Sequence, residues 1–457
     1  MSPVLVPGAV RRQGAPARRF AWTATPRALG LLLAGALLAF PAWFDRRLLL
    51  AMLAWNVVIA AAWIVDLRRT PAPADLTLAR VWNSTPALSV RQTVSLELTN
   101  GGAVAVDAQV LDMPSPLLRP DPPELAVAVG PGATARLSYE VLPSARGDAG
   151  MGAAAIRYRG PLGLAERWAI VPLEQTVRVY PDIREATRET LALIRARQIA
   201  VERRRARSFG LGRDFESLRQ FQDGDEFRDV CWTATARRGR LITRTYQPER
   251  SQTVWIVLDA GRLMRAREGT HTRLDRAVDA AFALARIAST AGDRVGLLAY
   301  GRGSGREIAP ARGAAHLRAI LDVLGTVAAG PVEADHVRAA ARIMTVQKRR
   351  ALVVWFTDVA ETAAVPEVID SATRLVPTHL LMFAVVQPRD LTGLAASVPA
   401  TPDDLFRIMA AQELAERRAK LLADLRQRGA LAVEVPSAEL TTVVIDRYLG
   451  VKQRNLL

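Results

Sequence analysis

The chain has 457 residues, half of them apolar and 23% charged, with a formal net charge of +16. That length is too great for one ordinary core, and the balance fits folded domains rather than disorder. The lone Cys231 excludes an intrachain disulfide, and the scattered His271, His316, His336 and His379 show no zinc or cysteine–histidine spacing.

Residues 1–27 read as a basic tail. Residues 28–44 and 48–65 are uncharged apolar runs parted by Asp45-Arg46-Arg47. Each holds roughly 17–18 residues, the minimum for a helix that crosses a bilayer. Pro41 and Asn56 are tolerated in such helices, and Trp22, Trp43 and Trp63 fall where an aromatic belt would sit. A buried soluble hairpin would show a polar face, and a cleaved signal would explain only the first run. A two-helix transmembrane hairpin over 28–66 is therefore expected. Arg11, Arg12, Arg18, Arg19 and Arg27 precede it and Arg68 and Arg69 follow it, against Arg46 and Arg47 in the turn. The positive-inside rule then puts the protein in the plasma (inner) membrane with the bulk of the chain in the cytoplasm.

After Thr70-Pro71-Ala72-Pro73, residues 76–181 alternate in short segments punctuated by Asn100-Gly101-Gly102 and Gly130-Pro131-Gly132. This predicts a small antiparallel β-sandwich. Residues 182–250 read as a linker, helical over 184–207 and ending in Arg203-Arg204-Arg205-Ala206-Arg207. From 251 to 457 strands and helices alternate. Residues 253–258, 295–300, 351–356 and 379–386 are continuous apolar runs, which suit strands covered on both faces. Helical patterns lie at 273–291, 314–324, 334–344 and 403–428, with Gly429 placed as a cap. The economical architecture is a doubly wound, Rossmann-like α/β domain.

Ligands of such sheets sit at the carboxyl ends of the strands, and two of those ends carry Asp259 and Asp358. Two carboxylates there could share a divalent cation such as Mg²⁺. The arrangement resembles the von Willebrand factor A-like domain and its metal-ion-dependent adhesion site. That resemblance implies an Asp-x-Ser-x-Ser run, a distant threonine and a later aspartate. Here the run is Asp259-Ala260-Gly261-Arg262-Leu263, and the loop Gly330-Pro331-Val332-Glu333-Ala334-Asp335 holds no threonine. The expectation is a degenerate site without metal, in which Arg262 neutralises Asp259 or Asp358. The alternative is a divalent-metal-dependent ligand-binding protein using those two aspartates.

The densest chemistry lies at 210–241. Asp214, Phe215, Arg219, Gly224, Asp225, Arg228, Trp232 and Arg237 combine aromatic anchors with carboxylate–arginine pairs. Neighbouring arginines would hold those carboxylates ionised, so they suit interdomain packing or partner docking better than acid–base catalysis. The spacing of Gly210, Asp214-Phe215, Leu218-Arg219, Phe221, Gly224-Asp225, Arg228, Val230, Trp232 and Ala236-Arg237 resembles the hallmark of domain-of-unknown-function family 58. Arg159-Gly160-Pro161-Leu162-Gly163-Leu164 and the tail through Arg447-Tyr448-Leu449-Gly450-Val451-Lys452 are similar to further parts of that family. The resemblance implies a bacterial or archaeal, non-enzymatic adaptor or scaffold. Its partners would be a MoxR-type AAA+ ATPase and a client protein or envelope complex.

No catalytic residue and no cofactor site follows from the pattern. Ser304 lacks the glycine a nucleophile turn needs, and the net charge comes without a nucleic-acid recognition motif.

Overall fold

The computed structural model describes residues 10–14, 17–37, 40, 47–182, 214–222, 227, 230–247, 252–303, 305–359, 365–387, 389–454 and 456. It divides into two compact units, residues 1–180 and 181–457.

The first unit begins with two strands that the sequence reading missed. β1 (Val10–Gln13) and β2 (Arg18–Ala24) lead into helix α1 (Pro26–Ala36), then α2 (Arg47–Arg69). Nine strands follow: β3 (Leu76–Trp82), β4 (Gln92–Asn100), β5 (Val106–Leu111), β6 (Glu124–Val129), β7 (Thr134–Val141), β8 (Gly147–Met151), β9 (Ala154–Arg159), β10 (Ala165–Val171) and β11 (Gln175–Val179). They form a four-stranded sheet in the order β1-β3-β4-β7, a five-stranded sheet β2-β10-β9-β5-β6, and a small β11-β8 ladder. All of these pairings are antiparallel, as the alternating segments implied.

The supposed basic tail is thus part of the sandwich. β1 closes one edge against β3, and β2 closes the other sheet against β10. An edge strand needs only one partner, so segments that carry paired arginines suffice.

Between the sheets lie Trp82, Leu96, Val110, Ile156 and Tyr158. Arg80 and Asp112, both fully buried, form an ion pair that Tyr139 completes by donating to Asp112 Oδ2 at 2.6 Å. Arg80 also donates to the carbonyls of Leu173 (2.8 Å) and Gly152 (3.0 Å), so its polar capacity is spent inside the fold. Asn100 organises its turn by donating to Val104 O and accepting from Gly102 N, both at 2.9 Å.

α2 is long and apolar enough to span a membrane. The described part of the first apolar run is shorter: α1 has eleven residues and is capped by Leu37, while 38–39 and 41–46 lie outside the described residues. Trp55 Nε1 of α2 donates to Leu31 O of α1 at 2.8 Å. A side-chain carbon at Gly35 would run into the Trp55 ring, so glycine there permits the close approach of the two helices.

In the second unit the linker and signature segment expected over 182–250 is described at 182, 214–222, 227 and 230–247. Residues 214–247 hold an antiparallel pair, β12 (Asp214–Gln220) with β13 (Ile242–Gln247), and the short helix α3 (Trp232–Arg238). The helix expected at 184–207 lies outside the described residues.

The α/β region contains β14 (Thr253–Asp259), the two-residue strands β15 (Arg267–Glu268) and β16 (His271–Thr272), β17 (Arg294–Tyr300), β18 (Arg306–Ala311), β19 (Leu352–Thr357), β20 (Leu380–Gln387) and β21 (Leu431–Pro436). Its helices are α4 (Arg273–Thr290), α5 (Ala314–Thr326), α6 (His336–Val346), α7 (Val365–Leu375), α8 (Arg389–Ala395), α9 (Pro402–Gln427) and α10 (Leu440–Gln453).

The six-stranded sheet runs β18-β17-β14-β19-β20-β21, parallel throughout except for β18 at the edge. This is a doubly wound order whose direction of winding changes at β14, between β17 and β19. α4 packs against α10, and α7 packs against α6 and α9. One face of the sheet buries Trp255, Trp355, Phe383 and Val385 with Ala340, Ile343, Leu375 and Leu421. Gly429 takes a φ of +93° behind α9, the left-handed geometry expected of its cap position.

Candidate functional site

The change of winding brings the carboxyl ends of β14 and β19 side by side, and with them Asp259 and Asp358. Both are buried, at 3% and 0% exposure. Asp259 Oδ1 accepts from Gly261 N at 2.7 Å, and Oδ2 accepts from Thr357 Oγ1 at 2.6 Å. Burial pushes the Asp259 carboxyl up to about 6 against the pull of those two hydrogen bonds, and nearby Asp358 adds to the rise.

Asp358 meets two guanidinium groups. Arg273 Nη1 donates to its Oδ2, and Arg418 Nη1 donates to its Oδ1 at 2.7 Å. Arg273 is the first residue of α4, fixed there by a capping box. Thr272 Oγ1 accepts from Asp275 N, and Asp275 Oδ2 accepts from Thr272 N. Arg418 lies midway along α9 at 3% exposure and also donates to Glu434 Oε1 and Val386 O, each at 2.9 Å. Glu268 on β15 pairs with Arg273.

This donor set does not fit a divalent cation. A hard cation needs free carboxylate or hydroxyl oxygens converging on one point. Here both oxygens of Asp358 face positive charge, and both oxygens of Asp259 are already occupied. The Thr357 hydroxyl is spent as well, since it donates to Asp259. The expectation for Arg262 is corrected as well: it reaches Glu333 at 3.5 Å on the surface, while Arg273 and Arg418 neutralise Asp358. Sequence reasoning missed both, because they stand 85 and 60 residues from Asp358.

Below the cluster Trp355 Nε1 donates to Tyr300 Oη at 2.7 Å, and Tyr300 Oη lies 2.8 Å from His336 Nδ1. Burial lowers His336, which favours a neutral ring accepting from Tyr300. A crevice of about 380 Å³ opens beside β17, lined by Tyr300, Gly301, Arg302, Arg306, Gly330 and Val332.

The signature segment is only partly described. Gly224, Asp225 and Arg228 lie outside the described residues, and of Asp214 and Phe215 only the backbone is described, paired with Gln247 and Tyr246. Arg219 Nη1 donates to Gln220 O at 3.1 Å. Trp232 is 64% exposed on α3, and Arg237 is exposed in that helix's last turn. Phe227, 68% exposed, packs at a tilt against Phe221 with ring centroids 5.3 Å apart.

The residues of the C-terminal match have a structural task. Tyr448 Oη donates to Asp293 Oδ2 at 2.5 Å and Lys452 Nζ to Asp293 Oδ1 at 2.7 Å, tying α10 to the loop before β17.

Residues 217–395 match the family model described as protein of unknown function DUF58. The match takes in the later part of β12, all of β13, Asp259, Arg273 and Asp358, and most of the sheet, while Arg418 lies beyond it. Uncharacterized protein YeaD of Bacillus subtilis is 28% identical over 123 residues, covering 27% of this chain and 30% of that protein. Uncharacterized protein Rv1480 of Mycobacterium tuberculosis is 28% identical over 152 residues, covering 33% of this chain and 48% of that protein. The chain thus spans less than half the length of these relatives. Among solved structures, the SpRpn10 VWA domain aligns at a TM-score of 0.28 and 14% identity, over 42% of this chain and 93% of that one. At that score the fold rests on the strand order itself.

Proposed function

We propose that the chain is a membrane-anchored, non-enzymatic adaptor. Its hairpin crosses the bilayer twice, its domains lie in the cytoplasm, and it docks a MoxR-type AAA+ ATPase together with a client complex. The two-pass reading is supported by the sandwich: β2 precedes α1 and β10 follows α2, yet the two strands pair with each other. A chain that leaves one face of a membrane at Ala24 and rejoins the same sheet after Leu76 crosses an even number of times. The basic residues flanking the hairpin support the cytoplasmic side.

The observation that carries the adaptor reading is the closed state of the Asp259–Asp358 cluster. Its acids are consumed by Arg273, Arg418, Thr357 and Gly261, so the position where such sheets bind ligand presents no open acid–base pair. Among the described residues of the signature segment, Trp232, Phe227 and Arg237 face outward, a composition suited to protein contact. The ATPase partner is supported by the family resemblance of the 210–241 spacing.

The test is capture from solubilised membranes with tagged full-length protein. Wild type should retain an AAA+ ATPase that Trp232→Ala and Asp225→Ala lose while their melting temperatures are kept. Equal capture by all three would reject this segment as the docking site.

A further inference from the structure

Both helices are tied to the sandwich at the turn of residues 160–165. Thr25 N donates to Leu164 O at 2.9 Å, and Thr25 Oγ1 donates to Gly163 O at 2.7 Å and accepts from Ala28 N as the cap of α1. Asp66, fully buried near the end of α2, accepts from Leu162 N (3.0 Å), Leu164 N (2.8 Å) and Ala165 N (2.9 Å). Arg167 donates to Leu67 O at 2.6 Å. A carboxylate at a helix C-terminus opposes the helix dipole, and three backbone donors supply the compensation. The base of the hairpin is therefore clamped to the sandwich with no slack between them.

That clamp fixes the height of the sandwich. The apolar stretch 48–65 rises about 27 Å at about 1.5 Å per residue, close to the thickness of a bilayer's hydrocarbon core. The turn 160–165 then lies at the level of the lipid headgroups.

The side chains on that rim are of one kind. Trp22, 46% exposed, packs on Trp63 with ring centroids 5.4 Å apart, and Leu162 is 48% exposed. The Arg27 guanidinium lies against Gly163, and Arg68 and Arg69 close the last turn of α2, exposed. Among the described residues no hydrogen bond or ion pair engages the Arg27, Arg68 or Arg69 side chains, whereas the carboxylate of nearby Glu166 is taken by Arg159.

We propose that this rim is a binding surface for acidic phospholipid headgroups, with Arg27, Arg68 and Arg69 as phosphate ligands and Trp22, Trp63 and Leu162 seated at the glycerol level. Unpaired guanidinium groups beside amphipathic rings match a layer that is anionic on one side and apolar on the other. The inference rests on the reading of the hairpin as a membrane anchor. An acidic protein partner would need the same charges but would leave the two indoles and Leu162 without their apolar layer.

The experiment uses the full-length protein in nanodiscs of phosphatidylcholine, alone or mixed with phosphatidylglycerol. Retained lipid is read by mass spectrometry, and indole depth is read by quenching with brominated lipid. Wild type should enrich phosphatidylglycerol over the bulk mixture, by about fivefold per arginine at low salt. The triple variant Arg27→Gln, Arg68→Gln, Arg69→Gln should stay in the membrane through alkaline carbonate and lose the enrichment. Bulk lipid proportions around the wild type, or full enrichment by the triple variant, would overturn the proposal. Release of the wild type by carbonate would overturn the anchor instead, and flotation on phosphatidylglycerol vesicles would then decide the headgroup preference by itself.

Discussion

Replacing Arg418 with methionine probes the cluster at the top of the α/β sheet most directly. The side chain is 3% exposed and its guanidinium serves Asp358, Glu434 and the Val386 carbonyl, at 2.7, 2.9 and 2.9 Å. Methionine keeps much of the apolar stem and removes all three donors. Breaking one side of a buried ion pair costs about 3–5 kcal/mol. Arg273 still holds the other oxygen of Asp358, so the lower end applies, ~3 kcal/mol. At about 1.4 kcal/mol per decade, the local opening constant rises roughly a hundredfold. Hydrogen exchange of the β19 and β20 amides in detergent-solubilised full-length protein reads that constant. Exchange rates within threefold of wild type would refute the assignment of Arg418 as the neutralising group. Arg342→Ala, which cuts the exposed pair with Glu307, serves as the control and should leave those amides unchanged.

Three further outcomes follow from the same geometry. The Asp259 carboxyl titrates near 6 in the fold and near about 3.9 when unfolded. Between those values the fold holds a proton that the unfolded chain has released, so stability falls as pH rises from about 4 to about 6. Asp259→Asn should remove that slope, and thermal unfolding across the window checks it; a difference from wild type that does not vary with pH would contradict the burial argument. Titration with Mg²⁺ or Mn²⁺ should leave the melting temperature of the wild type unmoved, because the oxygens a cation needs are engaged; a saturable rise would revive a metal site at Asp259 and Asp358. Asp66→Ala strands three N–H donors, two of them buried, at a cost of ~3 kcal/mol, and should expose the 160–165 turn to protease while the hairpin stays in the membrane fraction; an intact turn under the same digestion would count against the clamp.

Much of the fold is written locally. Continuous apolar runs become β14, β17, β19 and β20 because a parallel strand covered on both faces has no polar side to show. Alternation in β5 and β9 marks strands with one face on a core. The two site aspartates were legible as well, since a carboxylate closing such a run stands at the sheet's carboxyl edge. Two of the edge strands were not legible. β18, with Pro310 inside it, and the basic β2 lack a strand's full apolar signature because one side of each pairs with nothing.

Length, charge and apolar runs by themselves determined a helix long and apolar enough to span a membrane, a β-rich region and an α/β region. The sequence also determined that Gly261 and Leu263 place no hydroxyl beside Asp259. Only the tertiary structure decided what stands beside those aspartates. Arg273 and Arg418 come from helix positions far along the chain, and nothing in local periodicity marks an arginine that will be buried. Tertiary structure likewise decided that the residues before the hairpin complete the sheets formed after it, because strand pairing is a contact between distant segments whose partners no local pattern specifies.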